Sequence, residues 1–180
     1  MGVMHMFKRF WQSMLVFAVV ASAAAPVFAQ GYVGMALGAN FFNDADYFDI
    51  EDDSTAFEIK GGFRLVDVLA LEMSYLNLGE FRDFHENIDL GFSGVTISGK
   101  AILPLNEQME LYAKMGVYFW ELDEKYRRQS YLIDEGEDLI FGGGASFYLS
   151  SNVSVDLEYR RLEMTDLESD LFTAGITLSF

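Results

Sequence analysis

Apolar and polar residues alternate one for one along most of this chain. Near its end, Phe172, Ala174, Ile176, Leu178 and Phe180 share one parity, while Thr173, Gly175, Thr177 and Ser179 share the other. A period of two marks a β-strand with one oily face and one polar face; the spacing of three and four that a helix needs is missing. Over 54–66 the same signature sets Phe57, Ile59, Phe63 and Leu65 against Glu58, Lys60 and Arg64. Over 109–120 it sets Leu111, Ala113, Met115, Val117 and Phe119 against Tyr112, Lys114, Gly116 and Tyr118. The pattern predicts eight strands, at 31–43, 54–66, 69–81, 90–103, 109–120, 139–151, 153–161 and 170–180. Within the fourth, Val95, Ile97, Ala101 and Leu103 oppose Thr96, Ser98 and Lys100. Its opening, Leu90 to Gly94, is out of phase with the rest, which predicts a bulge near Ser93-Gly94.

The connections alternate as well. Those near 67, 106 and 151 are short, whereas those near 48, 86, 130 and 166 are acidic and mostly longer. The charged segment 121–138 reads as the longest connection, part of it extending the wall of the fold. An even number of strands, each about as long as the 9–11 residues that cross a bilayer, with short turns at one end and larger loops at the other, predicts a transmembrane barrel. The expected architecture is all-β: an eight-stranded, antiparallel, up-and-down barrel whose last strand pairs with its first, so that no sticky edge remains.

Composition sharpens this picture. Lys8 and Arg9 precede an almost wholly apolar run from Phe10 to Ala25, then Pro26 and the small-residue pattern Val27-Phe28-Ala29. This is the layout of a cleavable signal peptide over 1–29, cut near Ala29, with the barrel spanning 30–180. Removing Lys8 and Arg9 leaves 10 basic against 28 acidic residues, a net charge of −18. So acidic a chain is a poor match for nucleic acid, whose phosphates need Lys and Arg. With no cysteine in the sequence, neither a disulfide framework nor a lipid-bearing cysteine is expected. Hydrophobic and acidic residues must be segregated, and no stretch after Ala29 approaches the roughly 20 apolar residues of a membrane helix.

Which face is oily decides the setting. In a soluble barrel the apolar parity points inward; in a membrane barrel it points out to lipid. The polar parity carries Glu58, Lys60, Arg64, Glu72, Lys100, Lys114, Asp156, Glu158 and Arg160, five cations and four anions. Solvent-facing positions would share the acidic bias of the chain. A nearly balanced set suits an enclosed lumen, where unpaired charge is costly. These nine residues are therefore expected to form a lumen charge network.

From Phe141 to Met164, and again over Ile176-Thr177-Leu178-Ser179-Phe180, the chain resembles small outer-membrane barrels of the OmpA/OmpX type and opacity-type surface antigens. Shared features are a glycine-rich strand, a short turn with Asn, an acidic-Tyr-Arg pattern and a final aromatic. The resemblance implies residence in the cell outer membrane among lipid and lipopolysaccharide, and a closing strand whose Phe172, Ile176, Leu178 and Phe180 serve as the signal read by the outer-membrane barrel assembly machinery. It also implies loops that meet a host or cell-surface ligand. Full-length OmpA-type proteins carry a periplasmic peptidoglycan-binding domain; the sequence here stops at Phe180, and none is expected.

Candidate chemistry is sparse. Outside the leader the one histidine is His85, beside Glu86. An enzyme of the lipid-modifying barrel kind would need it to meet a serine such as Ser74 or Ser93. A solvated loop histidine is the expectation, so no catalytic residue and no cofactor is assigned. The six acids of 44–53 lack the spacing of a calcium-binding loop and chiefly keep the segment solvated, with a shared cation site bridging to lipopolysaccharide phosphates as the alternative. Gly142-Gly143-Gly144 precedes strand, not helix, and reads as barrel curvature or room for bulky lumen side chains rather than a phosphate cradle. Tyr32, Phe63, Tyr112, Phe147 and Phe180 are expected to ring one membrane interface, and Phe41, Phe42, Tyr75, Phe119 and Tyr159 the other. An eight-stranded interior is filled by its side chains, so a closed or barely conducting barrel is expected. The leading expectation is a non-enzymatic surface protein displaying acidic loops for envelope integrity or adhesion. A narrow pore for ions or small solutes, gated by the lumen salt bridges, is the second, and a lipid-modifying enzyme the third.

Overall fold

The computed structural model describes residues 30–42, 53–83, 88–126, 129–164 and 167–180. The leader over 1–29, nearly all of the acidic segment 44–53, and His85 with Glu86 lie outside the described residues.

Eight strands follow one another: β1 (Gln30–Phe42), β2 (Asp53–Val66), β3 (Leu69–Asp83), β4 (Ile88–Asn106), β5 (Met109–Tyr126), β6 (Gln129–Tyr148), β7 (Val153–Met164) and β8 (Leu167–Ser179). Each pairs antiparallel with its chain neighbours, and β8 returns to β1 to close the barrel. The seam runs from Tyr32 opposite Ser179 to Phe42 opposite Ser169. It is fastened at its lower end by two backbone hydrogen bonds between Gly31 and Phe180, 3.1 and 2.9 Å long. Closure satisfies every strand edge along this seam, which is what lets strands stand in a hydrocarbon layer where no water can meet their backbone groups.

The alternating pattern sorts to the two faces as a membrane barrel requires. Met35, Leu157 and Ile176 are 62%, 51% and 53% exposed on the outer wall, whereas Glu58 and Arg160 are 1% exposed within. No ordinary water-soluble fold inverts its residues this way.

Three expectations change. First, β5 runs to Tyr126 and β6 starts at Gln129, so most of 121–138 is strand rather than connection. Alternation reports a difference in environment between two faces, and a strand that rises beyond the lipid has water on its outer side. Second, the irregularity expected near Ser93-Gly94 sits on the facing strand. Register slips between Asn77 and Gly79 of β3, while Ser93 and Phe92 of β4 are consecutive partners. Gly79 adopts φ of +96°, a left-handed conformation glycine tolerates, and its N–H donates to Asn77 Oδ1 at 2.8 Å. Third, Tyr32 and Tyr112 belong to the interior, where both pack against buried Ala70 and Ile102, and not to an interfacial ring. Phe147 and Phe180 do face outward at that end, and Phe41, Phe119 and Tyr159 at the other. There Phe172 stacks between Tyr159 and Phe41, with ring centroids 4.9 and 6.2 Å away.

Inward-facing glycines set how tightly the wall can curve. A Cβ on Gly142 would lie 2.0 Å from the Tyr159 carbonyl oxygen, and one on Gly94 equally close to that of Phe119. Gly99, on the outer wall, has nothing within 4 Å of the same position. Gly142→Ala and Gly94→Ala should each destabilise the barrel by about 1–3 kcal/mol, with Gly99→Ala near neutral. Urea unfolding in lipid vesicles, followed by tryptophan fluorescence, checks this ranking.

Candidate functional site

The site is the lumen, and it is built in layers. Even-numbered residues of β2, β3, β5 and β7 bring Lys60 and Glu58, Glu72, Lys114, and Asp156, Glu158 and Arg160 into one enclosed column. In its middle, Arg160 donates through both terminal nitrogens to Glu58, at 2.8 and 2.7 Å, the bidentate geometry that guanidinium and carboxylate share. Arg160 Nε lies 2.7 Å from Glu158 Oε1 as an ion pair. Lys114 bridges Glu158 at 2.6 Å and Glu72 at 2.7 Å. Phenols add hydrogen bonds to this chain of charges, Tyr112 donating to Glu158 in its middle at 2.8 Å and Tyr32 to Glu72 at one end at 2.9 Å.

Two smaller groups flank it. Lys60 meets Asp156 at 3.0 Å, and Asp156 also accepts from Thr177 at 2.6 Å and Ser154 at 3.2 Å. At the end carrying the short turns, Arg64 donates to Glu110 and Tyr148 at 3.0 and 3.1 Å. Glu110 was not among the charges expected inside. Its parity matches Tyr112 and Lys114, but it lies beside a turn, where alternation is weak evidence. With it, the charges of the column and its flanking groups, Lys100 included, are five cations and five anions.

Lys100 stands apart. Its ammonium sits 3.6 Å from the centroid of the Tyr112 ring and 5.9 Å from that of Tyr32, so aromatic faces take the place of a carboxylate. It borders a recess of about 20 Å³ at the turn end, shared with Lys60, Arg64, Glu110 and Asp156, roughly the room one water needs. Gly144 and Gly62 make the space these rings occupy: a Cβ there would come within 2.7 Å of Tyr112 and 2.5 Å of Tyr32.

Toward the loop end the lumen changes character. Ala56, Leu76, Leu78, Tyr118, Ile140, Leu162 and Leu171 form a layer in which every side chain is 0–2% exposed, with Phe92 and Trp120 packed against it. The β3 bulge lies in this layer, and Phe92 belongs to it, which is why the start of β4 reads as out of phase. Trp120 stacks edge-on to Phe92 at 5.7 Å and donates its indole N–H to Asp138 at 2.5 Å. Ser74 is a wall residue sharing a hydrogen bond of 2.6 Å with Thr96, and it is buried in the lumen. On the outer wall, Phe172, Ile176, Leu178 and Phe180 of the closing strand are all exposed.

Residues 27–173 match the family of OmpA-like transmembrane domains. The chain is similar to outer membrane protein A of Escherichia coli O157:H7, 26% identical over 165 residues that make up 88% of this chain and 46% of that protein. It is 25% identical over 170 residues to outer membrane protein A of Shigella dysenteriae, covering 88% of this chain and 47% of the relative. The chain thus spans about half the length of the curated relatives it matches. Among solved structures, Neisserial surface protein A superposes with a TM-score of 0.65 at 14% identity, covering 84% of this chain and 99% of its own. OprH of P. aeruginosa gives 0.58 at 19%, covering 84% and 99%. Both likenesses are of fold.

Removing one partner of a buried ion pair strands the other. Arg160→Met should lower stability by about 3–5 kcal/mol, and the double variant with Glu58→Leu should regain most of that loss. A double-mutant cycle in urea reads the coupling.

Proposed function

The chain belongs to the family of OmpA-like transmembrane domains, and from that membership together with its filled lumen we propose that it is a non-enzymatic anchor displaying loops at the cell surface. The protein is an outer-membrane β-barrel. The observation that carries the proposal is the interior: among the described residues, buried charges that are paired with one another, Lys100 on its tyrosine rings excepted, fill the lumen beneath an apolar layer, and no nucleophile–base pair stands among them. What remains able to meet other molecules is the loop end. The segment 44–53 alone carries six acids, so its natural contacts are basic surfaces, or cations shared with lipopolysaccharide phosphates. Envelope integrity and adhesion both fit such a surface.

Insertion would use the closing strand. Phe172, Ile176, Leu178 and Phe180 present an unbroken oily edge beside the seam, which supports recognition of β8 by the barrel assembly machinery.

A second reading, a narrow pore for ions or small solutes, is favoured by one feature. The polar recess beside Lys60, Arg64 and Lys100 opens the lumen part-way from the turn end. Rearranged Glu, Lys and Arg pairs would have to extend it.

Two measurements separate these readings. The full chain expressed in a Gram-negative host should appear in outer-membrane fractions as a heat-modifiable band, and the purified barrel should show no steady large conductance in planar bilayers. Sustained conductance would favour the pore. Phe180→Ser should reduce the heat-modifiable fraction severalfold while total synthesis is unchanged; an undiminished fraction would remove the assembly role.

A further inference from the structure

We propose that the recess at the turn end holds one small monatomic anion of the halide class, with the Lys100 ammonium as its principal ligand. This goes beyond the surface-display reading and does not depend on it. The recess is unevenly charged. Lys60, Arg64 and Lys100 all border it, against two carboxylates, Glu110 and Asp156. Both carboxylates are engaged on both oxygens. Glu110 accepts from Arg64 through Oε1 and Oε2, each at 3.0 Å. Asp156 Oδ2 accepts from Lys60 and Thr177, and its Oδ1 from Ser154. Deeper in, Glu72 and Glu158 are taken up by Lys114 and by the phenols of Tyr32 and Tyr112. Lys100 is only 8% exposed, and among the described residues no carboxylate forms an ion pair or hydrogen bond with it. Its ammonium rests on ring faces instead, 3.6 Å from the Tyr112 centroid and 5.9 Å from that of Tyr32.

An ammonium carries three N–H donors. An aromatic face attracts its charge through the ring quadrupole, yet offers no lone pair to those donors. A buried charge without a counter-charge is costly, and an anion in the recess would supply both the acceptor and the charge. A water molecule would supply the acceptor alone. Size narrows the class of ligand. The recess has about 20 Å³, roughly the room of one water, so phosphate, sulfate and carboxylates are too large and a single-atom anion fits. Arg64, whose side chain is 23% exposed, sets a second positive charge on the way in from the turn end, which favours entry of a negative ion.

Two experiments on the purified protein test this. In the first, urea unfolding in lipid vesicles is followed as sodium chloride replaces sodium gluconate at constant ionic strength, gluconate being too large for the recess. The folding equilibrium constant of the parent protein should rise saturably, by about tenfold once chloride reaches ten times the dissociation constant of the site. Lys100→Met, similar in length but uncharged, should show no chloride dependence, whatever its absolute stability. In the second, crystals of the parent protein are grown in sodium bromide, and anomalous diffraction should place a bromide in the recess, in hydrogen-bonding contact with Lys100 Nζ. This measurement needs no variant, so it decides the matter even where Lys100→Met does not fold. A parent protein indifferent to chloride, a folded Lys100→Met variant that keeps the full dependence, or crystals with bromide on the surface and only water in the recess would overturn the proposal.

Discussion

Charge sealed inside a narrow cylinder has to be neutralised in place, and that requirement organises this molecule. An ion taken out of water loses several kcal/mol of hydration, recovered only if an opposite charge meets it at good geometry. Here, among the described residues, five cations and five anions meet in the column and its flanking groups, inside a chain whose overall charge is −16. The acidic excess is kept out of the column, so charge is partitioned by environment and not spread at random. Arg160 shows how far the constraint reaches. It is 1% exposed, and its side chain ties β7 to Glu58 on β2, 102 residues away in sequence. Such contacts lock distant strands into one register and leave the barrel little freedom to shear.

The interior is filled by contrast of size as much as of charge. Tyr32 and Tyr112 lean across the lumen into places vacated by Gly62 and Gly144, and their hydroxyls finish the hydrogen bonding of Glu72 and Glu158. Small barrels pack by setting large residues opposite small ones in this way. Among the described residues, the Asn40 side-chain amide nitrogen is buried without a hydrogen-bond partner, although its oxygen accepts from Ser169. It lies on β1 close to the level of the apolar layer, where a donor finds few acceptors.

Much of this was legible in the order of residues. Alternation of period two located all eight strands, and the mixed charges of one parity, set against the oily other parity, indicated which face meets lipid. Both signals are local, because in a strand the side chain's direction follows from its index alone. What escaped follows from the same logic. The upper halves of β5 and β6 carry charged residues on both parities, so their alternation fades and 121–138 looks like loop. Tyr32 and Tyr112 are amphipathic rings that suit an interface or a lumen equally, and composition does not separate the two.

The sequence by itself therefore determined the strand order, the inverted faces and the near-neutral inner set, since each depends on spacing along one chain. Only the closed structure decided which cation meets which carboxylate, that Lys100 rests on two tyrosine rings, and that leucines from separate strands meet in one buried layer. Those outcomes depend on the stagger between strands and on a bulge at Leu78. They are fixed when the cylinder closes and every register must agree at once.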